Sequence, residues 1–195
     1  NRDAMTAAGV DSDTDLSTWQ NVGTTLDVLK AGGEECPLVT AWQSWIHLEN
    51  FSAYHDVPFA SKDNGFAGLD TELMLNGEAQ VAHLTAMGQW AQDGKFIYTG
   101  RRNEGGANFR AGDCALFTES SAGYAGISSE AEFDFDVRPL PYWNGVGNSP
   151  QNTIIGGASL WVMEGHEDAE YKGAGEFLSF LSSSDVQAAW HQNTG

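Results

Sequence analysis

The 195-residue sequence holds 27 acidic against 9 basic residues, a formal charge of -18, with 41% hydrophobic residues and no long polar tract. This balance excludes nucleic acid and anionic membrane surfaces as partners, because neutralising phosphate takes clustered Lys and Arg, and it fits a solvated acidic surface. The length suits one globular domain, or one and a half, with a real core, and no apolar run approaches the roughly 20 residues of a membrane span.

Residues 1–8 read as a helix stopping at Gly9. A natural amino terminus does not open this way, so the sequence is expected to start inside a longer chain. Residues 15–31 are predicted as an amphipathic helix, with Trp19, Val22, Leu26 and Leu29 spaced at three and four. Ser17 with Gln20 would cap it, and Gly32-Gly33 would end it. Cys36-Pro37-Leu38-Val39 reads as a buried strand running straight into a helix, which Thr40 and Gln43 would open as a second capping box from about Ala41. Trp42 and Trp45 then lie three apart on its first turn, beside free N–H groups and the positive end of the helix dipole. Ligands of open α/β sheets bind beyond the carboxyl ends of the strands, so this is a candidate site for a small polar or anionic ligand. The alternative is that both indoles pack in the core.

Residues 52–68 read as loop and turn, and 72–76 as a short strand. Asn76 is the expected N-cap of a helix carrying Val81, Leu84, Met87 and Ala91 and ending at Gly94. Residues 95–98 suggest a short strand, and 99–106 a polar loop in which Arg101 and Arg102 are solvated and neutralised by nearby acids. After a helical turn at 107–111, Cys114-Ala-Leu-Phe-Thr118 forms a second buried strand, ending at Glu119-Ser120-Ser121 before a helix from about residue 122. The order strand, hydroxyl, helix thus repeats, and on parallel strands the two junctions would point the same way.

Residues 133–137 alternate as a half-buried strand, and 139–150 read as a long exposed connection. An apolar strand-like run at 153–163 is interrupted by Gly156-Gly157, where backbone or ligand approaches closely. Residues 167–181 are an amphipathic helix, and Ser184 with Gln187 would cap a last short helix reaching Trp190. The closing Asn-Thr-Gly195 is a turn signal, so the chain is expected to continue beyond it.

Support for enzyme chemistry is thin. The sequence has no Gly-x-Ser-x-Gly, P-loop or His-Glu-x-x-His motif, and His166-Glu167-Asp168 opens a helix, where acids suit the dipole. His47, His55, His83 and His191 have no recognisable metal-ligand spacing. Ser120 or Ser121 as a hydrolase nucleophile would lack a base, and a capping role suits them better. Neither metal nor cofactor is expected. Cys36 and Cys114 each open a predicted strand, which leaves two readings: buried free thiols, or a bridge across the sheet needing Cβ atoms about 4 Å apart.

Several segments carry a resemblance across nearly the whole chain. They are Trp-Gln-Ser-Trp-Ile-His-Leu-Glu-Asn-Phe-Ser-Ala from Trp42, Pro-Phe-Ala-Ser-Lys-Asp-Asn-Gly-Phe from Pro58, Gly-Asp-Cys-Ala from Gly112, Pro-Gln-Asn-Thr-Ile-Ile-Gly-Gly-Ala-Ser-Leu-Trp-Val-Met from Pro150, and Trp-His-Gln-Asn-Thr-Gly from Trp190. Together they resemble the sn-glycerol-3-phosphate-binding family of Ugp-type ABC importers. The resemblance implies an α/β, periplasmic-binding-protein-like class II fold, a periplasmic location, a small-molecule ligand and membrane permease subunits as partners. It assigns Trp42 and Trp45 to the glycerol side of a cleft, Ser120 to a ligand hydrogen bond and Gly157 to a backbone contact. It further implies an internal fragment, with residues 1–152 forming a carboxy-terminal-type lobe and 153–195 crossing to the amino-terminal-type lobe. A complete binding site is then not expected within it. Glu119, where the family has a small residue, brings a carboxylate near the presumed phosphate. That widens the expected ligands to glycerophosphodiesters or a neutral sugar.

Overall fold

Leu38, Val39 and Thr40 are buried in succession, and a strand with no solvent-facing residue must lie inside a sheet covered on both faces. In the structure, a computed structural model describing residues 1–11 and 13–194, β1 (Leu38–Thr40) is the central strand of three. It pairs in parallel with β2 (Phe96–Ile97) on one edge and β3 (Leu116–Thr118) on the other, in register Leu38↔Leu116, Val39↔Phe117 and Thr40↔Thr118. Successive side chains of β1 enter different cores, as strand geometry requires. Leu38 joins Trp19, Val22, Leu26 and Leu29 of α2 (Trp19–Ala31) and Met87 of α5 (Glu78–Gln92). Val39 joins Cys36, Phe109 and Cys114, with Phe109 on α6 (Glu104–Arg110). In that second core Cys36 and Cys114 form a disulfide, so the free-thiol reading does not hold.

α2 follows its predicted hydrophobic spacing, but α5 does not: it buries Gln80, His83 and Met87, while Val81, Leu84 and Ala91 of the expected stripe are exposed. α1 is Arg2–Ala7, after which Gly9 turns left-handed. The cap of α2 is Thr18, whose Oγ1 accepts the Asn21 N–H, and not Ser17. Ser17 is drawn outward because its carbonyl accepts the Tyr142 N–H, while Trp19 donates to the Tyr142 carbonyl. At α5 Gly77 takes the N-cap position expected of Asn76. The helix α6 starts inside the predicted polar loop, at Glu104. Residues 72–76 yield one antiparallel bridge, Ala60↔Leu73, and residues 133–137 run as coil whose Phe133 packs edge-on against Phe109. A strand needs a continuous partner edge; residues 72–76 meet theirs only around Ala60, and no strand pairs with 133–137 among the described residues. The predicted exposed connection at 139–150 is also corrected, since Pro141, Tyr142 and Trp143 are half-buried and strap the unit.

The chain divides into two compact units, Asn1–Ile155 and Gly156–Gly195. In the second, α8 (Asp168–Leu181) opens with a capping box between Glu167 and Glu170 and is followed by α9 (Ser184–Thr194). Ser184 lies within α9 and Gln187 donates to the Leu181 carbonyl, so the capping box expected there is absent. The run at 153–163 is coil, again for want of a neighbouring strand among the described residues, and leaves Ile155, Leu160, Trp161 and Met163 exposed.

Close approach of α6 to the central strand depends on one glycine. A Cβ on Gly105 would lie 2.5 Å from the Thr40 carbonyl oxygen and 2.9 Å from Val39 Cγ2. Gly105→Ala is therefore expected to destabilise the first unit by about 1–3 kcal/mol through overpacking, read as a lowered urea midpoint. An unchanged midpoint would mean that α6 does not pack on β1 in this way.

Candidate functional site

The parallel register brings three strand ends to one edge, and the two junctions singled out in the sequence lie side by side. The first differs from expectation. Thr40 caps nothing: it ends β1, and its buried hydroxyl donates to the Ala41 carbonyl. No helix starts at Ala41, because Trp42 adopts a left-handed φ of 46°. That conformation is costly for a bulky residue and persists only where its surroundings enforce it. Here the Trp42 N–H donates to the Arg102 carbonyl at 2.8 Å, and its own carbonyl accepts from Ile46 N–H at 2.9 Å. The chain then winds as a wide π-turn, Trp45–Asn50, before α3 (Phe51–Tyr54). Neither indole is core, since Trp42 is 39% exposed and Trp45 half-buried.

The loop after β2 braces this turn. Gln43 Nε2 donates to the Gly100 carbonyl at 2.8 Å. Gln43 Oε1 and Thr99 Oγ1 are buried with no hydrogen-bond partner among the described residues. Each such atom costs about 1–3 kcal/mol, so a water or solute group bound here would be stabilised.

At the end of β3, Ser120 caps the 3-10 turn Ser121–Gly123 that leads into α7 (Tyr124–Glu130). Its Oγ accepts the Ala122 N–H, and its own N–H donates to Glu119 Oε1 at 2.7 Å. Burial pushes the Glu119 carboxyl above the usual glutamate range, against the smaller opposing effects of that hydrogen bond and of Arg110. The amide an anion would have used is thus occupied. What remains on offer is the Ser120 hydroxyl hydrogen and a carboxylate, a set that suits hydroxyl groups better than phosphate. Gly157 belongs to the second unit, where it is exposed with φ 101° and open space around the position of a Cβ.

Beneath the strand ends lies a cluster that spacing along the chain did not disclose. His47, on the π-turn, places Nε2 3.1 Å from both Thr40 Oγ1 and Thr118 Oγ1, and Nδ1 3.2 Å from His83 Nε2 on α5. Trp143 Nε1–H donates to His83 Nδ1, and the Trp143 backbone N–H donates to His55 Nε2, both at 2.9 Å. All three imidazoles are buried, and every ring nitrogen has a partner, the last being His55 Nδ1 on the Phe51 carbonyl. None is left to bind a metal. Burial lowers the pKa of each, that of His47 to about 4. No signal in the sequence marked them, since His55 falls in the predicted loop at 52–68 and His83 lies off the stripe expected for α5.

Residues 1–195 match the family profile described as bacterial extracellular solute-binding protein. The sn-glycerol-3-phosphate-binding periplasmic protein UgpB of Yersinia enterocolitica is 44% identical over 195 residues, all of this chain and 44% of the relative. UgpB of Escherichia coli strain K12 matches with the same identity and coverage, so the chain spans less than half the length of these curated relatives. Among solved structures, UgpB from Mycobacterium tuberculosis in complex with glycerophosphocholine superposes with a TM-score of 0.65 at 18% identity, over 100% of this chain and 48% of that one. A Streptococcus pneumoniae solute-binding protein in complex with the blood group A-trisaccharide gives 0.60 at 20%, over 100% and 47%. At these identities the superpositions establish a shared fold.

A histidine held neutral in the folded state makes stability depend on pH in a definite sense. With a folded pKa near 4 against 6.5 unfolded, His47 favours the fold above about pH 6.5 and loses that contribution as pH falls towards 4. The loss is on the order of 3 kcal/mol. Urea midpoints should therefore fall steeply across this window, and His47→Gln should flatten the slope. An identical slope in the variant would show that His47 titrates as an exposed residue.

Proposed function

The chain belongs to the bacterial extracellular solute-binding protein family, and on that premise we propose that it recognises solute for an ABC importer and presents it, in the periplasm, to membrane permease subunits. The proposed ligand is sn-glycerol 3-phosphate or a glycerophosphodiester, by likeness to relatives named for glycerol 3-phosphate. Trp42 and Trp45 supply aromatic surface against the glycerol carbons and Ser120 donates to a ligand hydroxyl; the backbone contact expected of Gly157 remains part of the proposal. Residues 1–152 belong to the carboxy-terminal-type lobe in this reading, and 153–195 cross to the other.

The observation that carries the reading is the left-handed Trp42 at the carboxyl end of the central strand, next to the unpartnered Gln43 Oε1 and Thr99 Oγ1. Strain and unsatisfied polar atoms gathered at one sheet edge are characteristic of a ligand site. Glu119 favours hydroxyls at the β3 end, which supports the glycerol moiety there and a phosphodiester over a dianionic monoester. The same carboxylate, with two indoles after the neighbouring strand, also favours a second reading, a neutral sugar. A hydrolase has no such support, because the Ser120 Oγ serves as a cap and the three clustered imidazoles are engaged elsewhere.

The test is titration of the intact protein with glycerol 3-phosphate, glycerophosphocholine and a neutral trisaccharide, followed by calorimetry and tryptophan fluorescence. One of the first two is expected to bind and to change the fluorescence. Replacing both Trp42 and Trp45 by Ala should weaken that binding by well over tenfold, a loss of more than about 1.4 kcal/mol. Binding indifferent to both replacements would remove the site assignment, and preference for the trisaccharide would select the second reading.

A further inference from the structure

The buried imidazole cluster lies where the proposed cleft is built, yet none of its rings is among the groups offered to the ligand. We propose that Trp143, His83 and His47 form a positioning network that holds the ends of β1 and β3, and with them Trp42 and Ser120, in the geometry the ligand requires. The inference rests on the solute-binding reading only for what the geometry is used for; the network itself stands on its own distances.

Its hydrogen bonds can run in one direction only. An indole N–H donates and cannot accept, so His83 Nδ1, 2.9 Å from Trp143 Nε1, carries a lone pair. A neutral His83 then has its proton on Nε2, which donates to His47 Nδ1 at 3.2 Å. That fixes the His47 proton on Nε2, directed at Thr118 Oγ1 and Thr40 Oγ1, each 3.1 Å away. Thr118 Oγ1 donates to Thr40 Oγ1 at 2.7 Å, and Thr40 donates on to the Ala41 carbonyl at 3.0 Å. Every donor has an acceptor, with the His47 Nε2–H shared between the two threonine hydroxyls, in one set of tautomers. Trp143 fixes His55 as well, because its backbone N–H to Nε2 leaves the His55 proton on Nδ1, donated to Phe51.

The place where the network ends gives it a role. Thr40 precedes Trp42 by two residues, and Thr118 precedes Ser120 by two. One imidazole thus spans the last residues of two strands, just before both junctions leave the sheet, and the Ala41 N–H to the Thr118 carbonyl at 3.0 Å completes the joint. The other end is anchored by the strap: the Asn148 N–H donates to the His55 carbonyl, and a Cβ on Gly147 would fall onto that same oxygen. A buried polar network is not the cheapest way to fill a core, since apolar residues of similar volume serve as well or better. What it adds is a single arrangement of its members.

The groups packed around the rings are aromatic or weakly titrating: Trp19 from α2, Phe51 and Tyr54 from α3, and Trp143 from the strap. The charges acting on His83 are those of His47 and His55 themselves. Protonating His83 at Nδ1 would set two donors against each other at Trp143 and break the sequence at its first step. Acid should therefore loosen the cleft.

The test uses the intact protein and Trp143→Phe, which keeps an aromatic ring and removes the donor. Nitrogen NMR of the wild type should show the Nε2–H tautomer at His47 and His83 and the Nδ1–H tautomer at His55; the opposite tautomer at His83 would overturn the network, whether or not the variant folds. In the variant, the amide shifts of Trp42 and Ser120 should move, glycerophosphocholine affinity should drop about tenfold, and the acid limb of the binding profile should shift to higher pH. Unmoved Trp42 and Ser120 shifts would overturn the positioning role. If the wild type binds neither glycerophosphocholine nor glycerol 3-phosphate, the solute reading fails by itself, and the tautomers and shifts still decide the network.

Discussion

The level pairing of β1 with β3 governs the rest of the first unit. Because Leu38 stands opposite Leu116 and Thr40 opposite Thr118, the two strands leave the sheet at the same height, and their two exit turns must share one edge. Parallel strands cannot be joined by a tight turn, so the chain between the cysteines at their starts, 78 positions apart, makes a long crossover. The disulfide closes that loop at one end of the pair, and the imidazole of His47 ties it at the other. Closing a loop of this length is worth about 4–5 kcal/mol in the chain-entropy account. That is a large share of the roughly 5–15 kcal/mol by which a domain is normally stable.

Much of this arrangement was legible in the sequence. Short apolar runs bounded by polar residues gave β1 and β3, and three-and-four spacing gave α2, α5 and α8. Their parallel alignment entered the sequence reading only as a condition, and the pairing of β1 with β3 supplies it. What misled was the local chemistry of caps. Thr40 and Gln43 have capping-box spacing, but the hydroxyl of Thr40 is claimed by a tertiary partner 78 positions away, and Gln43 reaches across to Gly100. Ser17 lost its cap differently, to backbone pairing in which its carbonyl accepts the Tyr142 N–H. Side chains with a hydrogen bond to give take the one the fold presents, and sequence spacing reports only the local offer.

The histidines show the converse. At separations of 8 and 28 residues, His47, His55 and His83 match no metal motif, and they meet only because a π-turn, a helix end and α5 converge under the sheet edge. Trp143 was hidden by its company: Pro139, Pro141, Gly145 and Gly147 mark an irregular connection, but irregular backbone is not the same as exposed backbone. The prolines and glycines there shape a strap that fits closely, as the approach of Gly147 to His55 requires.

The disulfide also bears on how the protein responds to being cut. The stretch around Phe66, Leu69 and Leu73 stands far out in solvent, with Leu69 fully exposed, and such loop tips are preferred sites of proteolytic nicking. It lies between Cys36 and Cys114. A single cut there would produce two pieces still joined through their sulfurs, each keeping one of the two paired strands. Electrophoresis without reductant would then report an intact chain, and only reduction would reveal the break.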